Sequence, residues 1–428
     1  MTFMPDFKTK DELLDHQLQG LRWTVNHAYN GSPIYRKRLE EAGVGPAGVR
    51  SLDDIVKLPF TSAQDLQEGY PFPLLSVPFE RVVRIHASSG TTGKRKVLCY
   101  TRKDIEDWTH FFARCYEIAG LSLEDRVQLA VGYGVWTAGV SFQWGCEAFG
   151  AMAIPAGPGN LDMQCQFLID FKTTVMCCTT SMGLLMAEEV NRRGIRDKIH
   201  LSKMIFGSER HSDAIAKRIR DLLPIDHLFD LPGLTELYGP GTGLDCTLHT
   251  GIHYWADYYI LEILDPDTLK PVPEGETGEM VVTTLKKEAV PLIRYRTRDL
   301  TRIISGNCPC GSIFPQHDSI LGRSDDMIIF RAVNIYPGQI DHVLSGCEGI
   351  GSEYQILLDR REDSKDYMTL KVERSEGGDS SEDKRLSRNI ADEIKQQILV
   401  SANVEIVDYS VLPRSEKKSK RVFDRREE

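Results

Sequence analysis

Residues 81–94 read Arg-Val-Val-Arg-Ile-His-Ala-Ser-Ser-Gly-Thr-Thr-Gly-Lys, an apolar run followed by a loop of hydroxyl residues, two glycines and a lysine. Glycine lets a backbone approach a polyanion closely, and N–H groups, hydroxyls and an ammonium can then surround phosphate oxygens. A Walker A loop has four residues between its first glycine and its Gly-Lys pair, whereas only two separate Gly90 from Gly93. The loop at 88–94 therefore predicts a nucleoside triphosphate site outside the P-loop fold. The alternative for this composition is a plain Ser/Gly/Thr connector.

The composition narrows the classes of protein. The chain has 428 residues, enough for two or three domains, and its 41% hydrophobic and 27% charged residues are ordinary for a globular protein. The net charge of −10 argues against a nucleic-acid partner, and no apolar run is long enough to predict a membrane span. The ten cysteines are scattered, several in apolar stretches, which predicts reduced thiols and a cytoplasmic location.

The apolar pattern predicts two kinds of sheet. Buried strands are expected at 127–131, 151–154, 175–178 and 204–206, and the helical stretches between them indicate a parallel sheet wrapped by helices. From about residue 257 the pattern changes to alternating β, at 259–264 and 278–285. Past residue 325, strands at 353–358, 367–372 and 404–407 and one amphipathic helix indicate a compact α+β unit.

Four further motifs follow the loop at 88–94 in order. They are Gly233-Leu-Thr-Glu236, Tyr295-Arg-Thr-Arg-Asp299, the block 322–337 that begins Gly-Arg-Ser-Asp-Asp-Met-Ile-Ile, and the tail Leu412-Pro-Arg-Ser-Glu-Lys-Lys-Ser-Lys-Arg-Val422. Together the five motifs resemble those of the acyl- and aryl-CoA synthetases, which are adenylate-forming enzymes. The block 322–337 resembles that of the phenylacetate-CoA ligases in particular, and the resemblance runs from about residue 20 to the C-terminus.

The expected fold class, from pattern and resemblance together, is α/β. A large N-terminal domain, 1–324, would hold mixed and parallel sheets wrapped by helices, with a β-rich subdomain at about 245–322. A small, mobile α+β domain, 325–428, would follow it. The resemblance places the hinge between the two domains at Asp325.

The resemblance also implies a role for each motif. Glu236 would bind Mg²⁺, a hard cation that shares oxygen ligands with phosphates, and Thr235 would contact the α-phosphate. A solvated loop carboxylate is the alternative for any single acid, but the order of the motifs favours function. The residues that would hold ATP and AMP are Ser88, Ser89, Gly90, Thr91, Thr92, Gly93, Lys94, Gly207, Ser208, Glu209, Asp299 (on the ribose hydroxyls) and Arg323.

Lys418 matches the mobile lysine that bridges the substrate carboxylate and the phosphate during adenylation, a task that suits a compact ammonium. Rotation about the hinge would remove this lysine and admit CoA, so that one pocket serves two half-reactions. A solvated basic tail is the alternative, because Lys417 stands where the family has glycine and Lys420 follows closely.

The stretch 132–139 resembles the part of these ligases that lines the acyl pocket. A flat apolar acid would be framed by Tyr133, Trp136, Ala156 and Gly157, although aromatics at this spacing are also common in a plain core.

Three positions depart from the family pattern. Pro232 replaces an aromatic that would lie against adenine, for which Tyr238 or Phe229 could substitute. Arg298 replaces a glycine, and Arg95 replaces a proline.

Cysteines and histidines in the β-rich region predict a metal site. Cys308 and Cys310 form a close pair, and Cys246, His249 and His253 lie 62 to 55 residues before Cys308. Four such ligands make the closed tetrahedral site of structural zinc, and buried thiols are the alternative. Some relatives carry cysteines at the three matching positions, and His253 matches the family histidine better than His249. The predicted Zn²⁺ ligands are therefore Cys246, His253, Cys308 and Cys310, with no part in the chemistry.

The function implied by the resemblance is that of an AMP-forming acid–CoA ligase. It would activate an aryl or arylacetic acid, such as phenylacetate, with ATP and Mg²⁺, and then transfer the acyl group from the adenylate to coenzyme A. One alternative is an adenylating enzyme that passes the acyl group to a carrier protein or an amine. The other is a non-catalytic homologue that binds a nucleotide or CoA. A homodimer stays open, because relatives often dimerise.

Overall fold

The computed structural model describes residues 2–88, 95–208, 213–326, 328–331, 333–360, 365–413 and 421–426. Within these ranges the α-helices are α1 (Lys10–Gly31), α2 (Pro33–Glu41), α3 (Arg102–Ile118), α4 (Ala138–Phe149), α5 (Leu161–Asp170), α6 (Thr180–Arg192), α7 (Asp213–Leu222), α8 (Pro337–Ser345) and α9 (Asp383–Ile398). None of them is long and apolar enough to cross a membrane.

The strands of the same ranges are mostly short. They are β1 (Arg84–Ala87), β2 (Val97–Tyr100), β3 (Arg126–Ala130), β4 (Met152–Ile154), β5 (Val175–Thr179), β6 (Lys203–Gly207), β7 (His227–Leu231), β8 (Gly233–Leu234), β9 (Gly239–Pro240), β10 (Gly243–Asp245), β11 (Ile252–Tyr254), β12 (Tyr259–Leu264), β13 (Gly278–Thr284), β14 (Tyr295–Thr301), β15 (Ile303–Ile304), β16 (Gln316–His317), β17 (Gly322–Arg323), β18 (Ile328–Phe330), β19 (Val333–Ile335), β20 (Ile350–Arg360), β21 (Asp366–Arg374), β22 (Asn403–Val407) and β23 (Val422–Asp424).

A five-stranded parallel sheet lies at the centre of the large domain. Its strand order is β4-β3-β5-β6-β7, and every neighbouring pair is parallel. Successive residues of β5 enter different cores, because Cys177 belongs to one apolar cluster and Met176 and Cys178 to another. The side chains of a strand alternate between the two faces of its sheet, so both faces are covered. The predicted parallel sheet wrapped by helices is confirmed.

Two antiparallel sheets of four strands follow between residues 243 and 323. Their orders are β10-β11-β16-β15 and β12-β13-β14-β17. Thr61, far earlier in the chain, forms a bridge to Tyr295 of the second sheet, and Tyr35 donates a hydrogen bond to the carbonyl of Pro291 at 3.0 Å. The N-terminal helices are thereby fastened to the β-rich region.

The C-terminal part has its own core. A four-stranded sheet of order β22-β21-β20-β23 packs with α8 and α9 around an apolar cluster that includes Ile340, Ile356, Leu370 and Ile390. This core contains residues from 328 onward only. Contacts to the large domain include an ion pair between Arg218 of α7 and Glu376, 2.8 Å apart.

Candidate active site

Several sequence motifs meet at one edge of the parallel sheet. Side chains and ligands gather where parallel strands end, outside their carboxyl ends. Gly207 ends β6 and Ser208 follows it, while Pro232 directly follows the neighbouring β7. A side chain at Gly207 would meet the backbone oxygen of Leu231 at 2.2 Å, so this close approach of two strands requires glycine.

A cleft of about 1380 Å³ lies between this edge, the second antiparallel sheet and the small domain. Of the residues predicted to bind nucleotide or act as the hinge, those that line it are Ser208, Asp299, Arg323 and Asp325. Leu234 and Leu237 line it as well, and they flank the turn that carries Thr235 and Glu236. The cleft is therefore large enough and polar enough to receive a nucleotide.

Buried side chains hold the backbone of the turn that carries Glu236. The Tyr100 hydroxyl lies 3.1 Å from the carbonyl oxygen of Thr235 and 2.6 Å from that of Tyr238. It shares its single proton between these two acceptors. Lys287 Nζ donates to the carbonyl of Glu236 at 2.6 Å, and the Tyr259 hydroxyl donates to the carbonyl of residue 237 at 2.7 Å. These three donors therefore satisfy four successive carbonyls, and we call them the carbonyl cradle.

The cradle also holds a strained residue and a buried charge. Tyr238 has φ +105°, a backbone angle that residues other than glycine rarely adopt. Lys287 is fully buried, with Nζ 5.2 Å from the ring centroids of both Tyr100 and Tyr238. Burial lowers the pKa of Lys287 to about 8, and the negative charge of Asp104 opposes that shift. The aromatic rings and the carbonyl thus replace water around this ammonium.

The carboxylate of Glu236 is only 3% exposed. The Tyr295 hydroxyl donates to its Oε1 at 3.0 Å, and Lys96 Nζ forms an ion pair with the same oxygen. Burial is the largest single influence and acts to raise the pKa of Glu236, but the Lys96 charge and the hydrogen bonds from Lys96, from the Glu236 backbone and from Tyr295 together lower that pKa. A buried, ionised carboxylate is the kind of donor that Mg²⁺ shares with phosphates, so Glu236 fits that metal.

Arg323 connects two other predicted site residues, Asp299 and Asp325. Asp299 on β14 lies opposite Arg323 on β17, and Arg323 Nη1 is 3.1 Å from Asp299 Oδ1. The same guanidinium binds both carboxylate oxygens of Asp325 at 2.8 Å. The candidate ribose acid and the candidate hinge residue therefore share one cation, in a planar geometry that arginine alone provides.

Arg298 has a backbone conformation that favours glycine. Its φ is +70°, in the left-handed region that favours glycine. Its guanidinium lies 3.5 Å from the buried carboxylate of Glu279, which Arg296 also binds at 2.8 Å. Ser324 donates to Glu279 at 3.2 Å, so this carboxylate joins β13 and β14 to the residue before the hinge.

The candidate acyl residues lie at the other end of the sheet edge. The loop 131–137 follows β3 and is fastened to β1, because the Val135 carbonyl accepts from Ala87 N at 2.9 Å. Gly157 N donates to the Leu129 carbonyl at 2.9 Å, which brings the segment after β4 beside β3. Tyr133 is 40% exposed and Trp136 packs on the main core. None of the four predicted residues lines the large cleft.

Neither aromatic suggested as a replacement at Pro232 lines the cleft. Tyr238 and Phe229 are both fully buried in the main core. Tyr254 on β11 lines the cleft together with Pro232. The sequence predicted neither this placement nor the burial, because Tyr238 packs against rings from α3 and β12.

Cys246, His253, Cys308 and Cys310 come together in the first antiparallel sheet. Their ligand atoms all lie within 4.8 Å of one another. His253 Nδ1 lies 3.0 Å from the Phe314 carbonyl, and its Nε2 is 3.4 Å from Cys310 Sγ. A backbone carbonyl on one ring nitrogen fixes the tautomer that leaves the other nitrogen free for a metal.

His249 lies outside this cluster. It is paired with Asp245 at 2.5 Å and with His227 at 3.1 Å.

Some predicted residues lie outside the described ranges. They are Ser89, Gly90, Thr91, Thr92, Gly93, Lys94, Glu209 and Lys418. Ser88 is described, and its N–H donates to the Lys96 carbonyl at 3.0 Å, which closes the base of the loop.

Sequence reasoning missed Lys96 and the cradle. Lys96 stands two residues after the loop lysine, and this second lysine was the available signal. Lys287 and Tyr100 carry no motif, because they reach the turn from segments 51 and 135 residues away.

Two families match this sequence. Residues 52–285 match the AMP-binding enzyme family, and residues 332–426 match the AMP-binding enzyme C-terminal domain. A phenylacetate-coenzyme A ligase of Escherichia coli (strain K12) is 40% identical over 422 residues, which cover 97% of this chain and 95% of that protein.

Solved structures of a 2-hydroxyisobutyryl-CoA ligase are similar over nearly the whole chain. In the postadenylation state with an acyl-AMP, that enzyme has a TM-score of 0.89 at 26% identity, covering 99% of this chain and 94% of that one. In its thioesterification state with an acyl-AMP and CoA, the TM-score is 0.71 at the same identity, covering 98% and 91%. The large and small domains here are therefore arranged more as in the postadenylation structure.

The carbonyl cradle gives an ordered prediction about stability. Tyr100→Phe leaves two carbonyls of the turn without a partner, whereas Tyr259→Phe leaves one. We expect a loss in free energy of unfolding of about 2–3 kcal/mol for the first variant and about 1–2 kcal/mol for the second. Chemical denaturation measures both.

Tyr116→Phe is the matched control, because that buried hydroxyl donates to one backbone carbonyl, at Phe142, away from the turn. A Tyr100→Phe loss no larger than that of Tyr116→Phe would contradict the shared role of Tyr100.

Proposed function

We propose that this chain, which belongs to the phenylacetate-CoA ligase family of adenylate-forming enzymes, activates an aryl or arylacetic acid such as phenylacetate. Its relatives and similar structures support AMP-forming ligation of an acid to CoA through an acyl-adenylate. The residue assignment rests on strand β14, which contacts Glu236 at its start and lines the cleft further along. Tyr295 at its start binds Glu236, and Asp299 further along it lines the cleft with Arg323.

The first half-reaction needs little covalent chemistry from the protein. The acid's carboxylate attacks the α-phosphorus of ATP and pyrophosphate leaves, so the site must orient the reactants and neutralise developing charge. We assign the phosphates to the loop 88–94, the α-phosphate to Thr235, the ribose to Asp299 and Arg323, and the adenine to the segment 207–209. Glu236 would hold Mg²⁺, which supplies positive charge at the phosphate oxygens when bound.

The acid would enter at the opposite end of the same sheet edge. Tyr133 and Trp136 lie on the loop after β3, and Ala156 and Gly157 follow the adjacent β4. The hydrogen bond between Val135 and Ala87 ties this loop to the strand that leads into the phosphate loop. This connection supports a pocket that presents the acid's carboxylate toward the phosphates.

The second half-reaction would use the other domain arrangement. The small domain, 325–428, would rotate about Asp325, withdraw Lys418 and let the CoA thiol attack the acyl carbonyl, with AMP as the leaving group. The resemblance of this chain to the postadenylation structure supports an arrangement that precedes the rotation. The contact between Arg218 and Glu376 belongs to that arrangement.

The four-ligand cluster would bind structural Zn²⁺. Three thiolates and one imidazole form a closed tetrahedral set, which leaves no position for substrate. The metal would join β11 to the turn before β16. We also place the enzyme in the cytoplasm, which is supported by ten free thiols, eight of them buried.

Pyrophosphate release tests the function. With ATP and Mg²⁺, we expect release that depends on one acid of an aryl and arylacetic panel and that continues only when CoA is present. An enzyme-coupled phosphate assay measures it, with short aliphatic acids as controls. Release that stops after one equivalent despite CoA would instead favour a carrier protein or an amine as acceptor, and no release with any acid would contradict a ligase.

The assignment of Lys418 predicts a split between the half-reactions. Lys418→Ala should lower adenylation by roughly a hundredfold or more, because charge stabilisation in the transition state is lost, while thioester formation from supplied acyl-adenylate continues. Single-turnover assays of each step measure this split, and Lys420→Ala is the control. An equal loss in both steps would remove Lys418 from its role.

The zinc assignment predicts about one equivalent of metal per chain. Cys310→Ser should lose most of the zinc and lower the unfolding midpoint, because the free energy of metal binding contributes to folding and one of the four ligands is lost. Elemental analysis and thermal denaturation measure the two effects. His249→Ala should retain the metal, and loss of zinc from that variant instead would contradict the ligand set.

A further inference from the structure

Lys96 occupies a position that the reaction scheme above leaves without a role. Its Nζ forms an ion pair with Oε1 of Glu236, the same oxygen that receives the Tyr295 hydroxyl. The side chain of Lys96 is 23% exposed, whereas that of Glu236 is 4% exposed. One partner can therefore reach solvent while the other stays buried.

Glu236 needs a cation at all times. An ionised carboxylate removed from water is strongly destabilising unless it is paired and hydrogen-bonded. The second buried ammonium nearby, that of Lys287, donates to the backbone carbonyl of Glu236 rather than to its carboxylate. Among the described residues, the cation paired with the carboxylate is Lys96.

Mg²⁺ enters such a site with the nucleotide. This ion dehydrates reluctantly and is usually held by one or two carboxylates together with substrate phosphates. In the absence of metal Glu236 would therefore pair with Lys96, and with ATP and Mg²⁺ bound it would pair with the metal. Two cations would then compete for one carboxylate.

Lys96 is placed to leave when the metal arrives. Its backbone closes the base of the phosphate loop, where Ser88 N donates to its carbonyl and its own N–H donates to Ser88 Oγ at 3.3 Å. The ammonium stands on a flexible four-carbon stem and is a compact charge suited to phosphate oxygens. It can move from the carboxylate toward the phosphates without moving the strand that follows.

We propose that Lys96 is the counter-ion of Glu236 in the nucleotide-free enzyme and that its ammonium competes with Mg²⁺ for this carboxylate. The inference rests on the proposed function in one respect, the assignment of Mg²⁺ to Glu236. Lys96 is a positioning residue in this role, because it keeps the metal ligand ionised and directed into the site before ATP binds.

Thermal denaturation of the full chain without nucleotide or acid tests the proposal. In EDTA, Lys96→Met should lower the unfolding midpoint by roughly 5 °C, because it leaves a buried carboxylate unpaired. Millimolar Mg²⁺ should restore most of that loss in the variant and leave the wild-type midpoint unchanged. Mn²⁺ binding followed by electron paramagnetic resonance should be tighter in the variant than in the wild type.

Two variants serve as controls. Lys103→Met removes a lysine that is paired with a different carboxylate, that of Asp107. The unfolding midpoint of this variant should show no response to Mg²⁺. Lys96→Met combined with Glu236→Gln removes both charges and should abolish the response to Mg²⁺ as well as the tighter Mn²⁺ binding.

The proposal would be overturned if Mg²⁺ did not raise the unfolding midpoint of Lys96→Met. It would also be overturned if Mg²⁺ raised the wild-type midpoint by the same amount. If the variant folds only when it is purified with Mg²⁺, the proposal is supported, and failure to fold under both conditions would contradict it. None of these measurements uses ATP or an acid. The absence of pyrophosphate release would therefore contradict the proposed function without changing the outcome of the test of Lys96.

Discussion

The burial of one carboxylate constrains the whole site. Glu236 is ionised in apolar surroundings, and the protein meets that cost with Lys96 and Tyr295 on the side chain and with the carbonyl cradle on the backbone. These partners come from the phosphate loop, from β2, β12 and β14, and from the segment after β13. Because each of these elements must reach the same turn, the parallel sheet and the second antiparallel sheet are fixed relative to each other around it.

Ion pairs also connect predicted site residues that line the cleft. Asp299, Arg323 and Asp325 form one chain of ion pairs from the candidate ribose site to the candidate hinge. Half-exposed pairs of this kind contribute little stability by themselves, since water competes for each partner. Because both carboxylates pair with the same guanidinium, Asp299 and Asp325 share the positive charge of Arg323.

Much of the fold could be predicted from the sequence, because strands buried on both faces produce short apolar runs and β5 and β6 do so at 175–178 and 204–206. The meeting of Cys246, His253, Cys308 and Cys310 was predicted from ligand type and from the family resemblance, which favoured His253 over His249. The burial of Tyr238 could not be predicted, since it depends on rings from α3 and β12. The role of Lys287 could not be predicted either, because it reaches the turn from a segment 51 residues away. Arg298 was noted as a departure from the family pattern, but its φ of +70° could not be predicted from the sequence.

The separation of tasks along the sheet edge has an evolutionary consequence. The segments proposed to receive the acid follow β3 and β4, whereas those proposed for the nucleotide follow β6 and β7, with β5 between them. The described partners of Glu236 and of the carbonyls of its turn come from segments other than 131–137 and 155–157. A lineage could exchange one carboxylic acid for another while its energy-coupling apparatus stayed intact, and gene duplication would then supply new ligases with little loss of foldability.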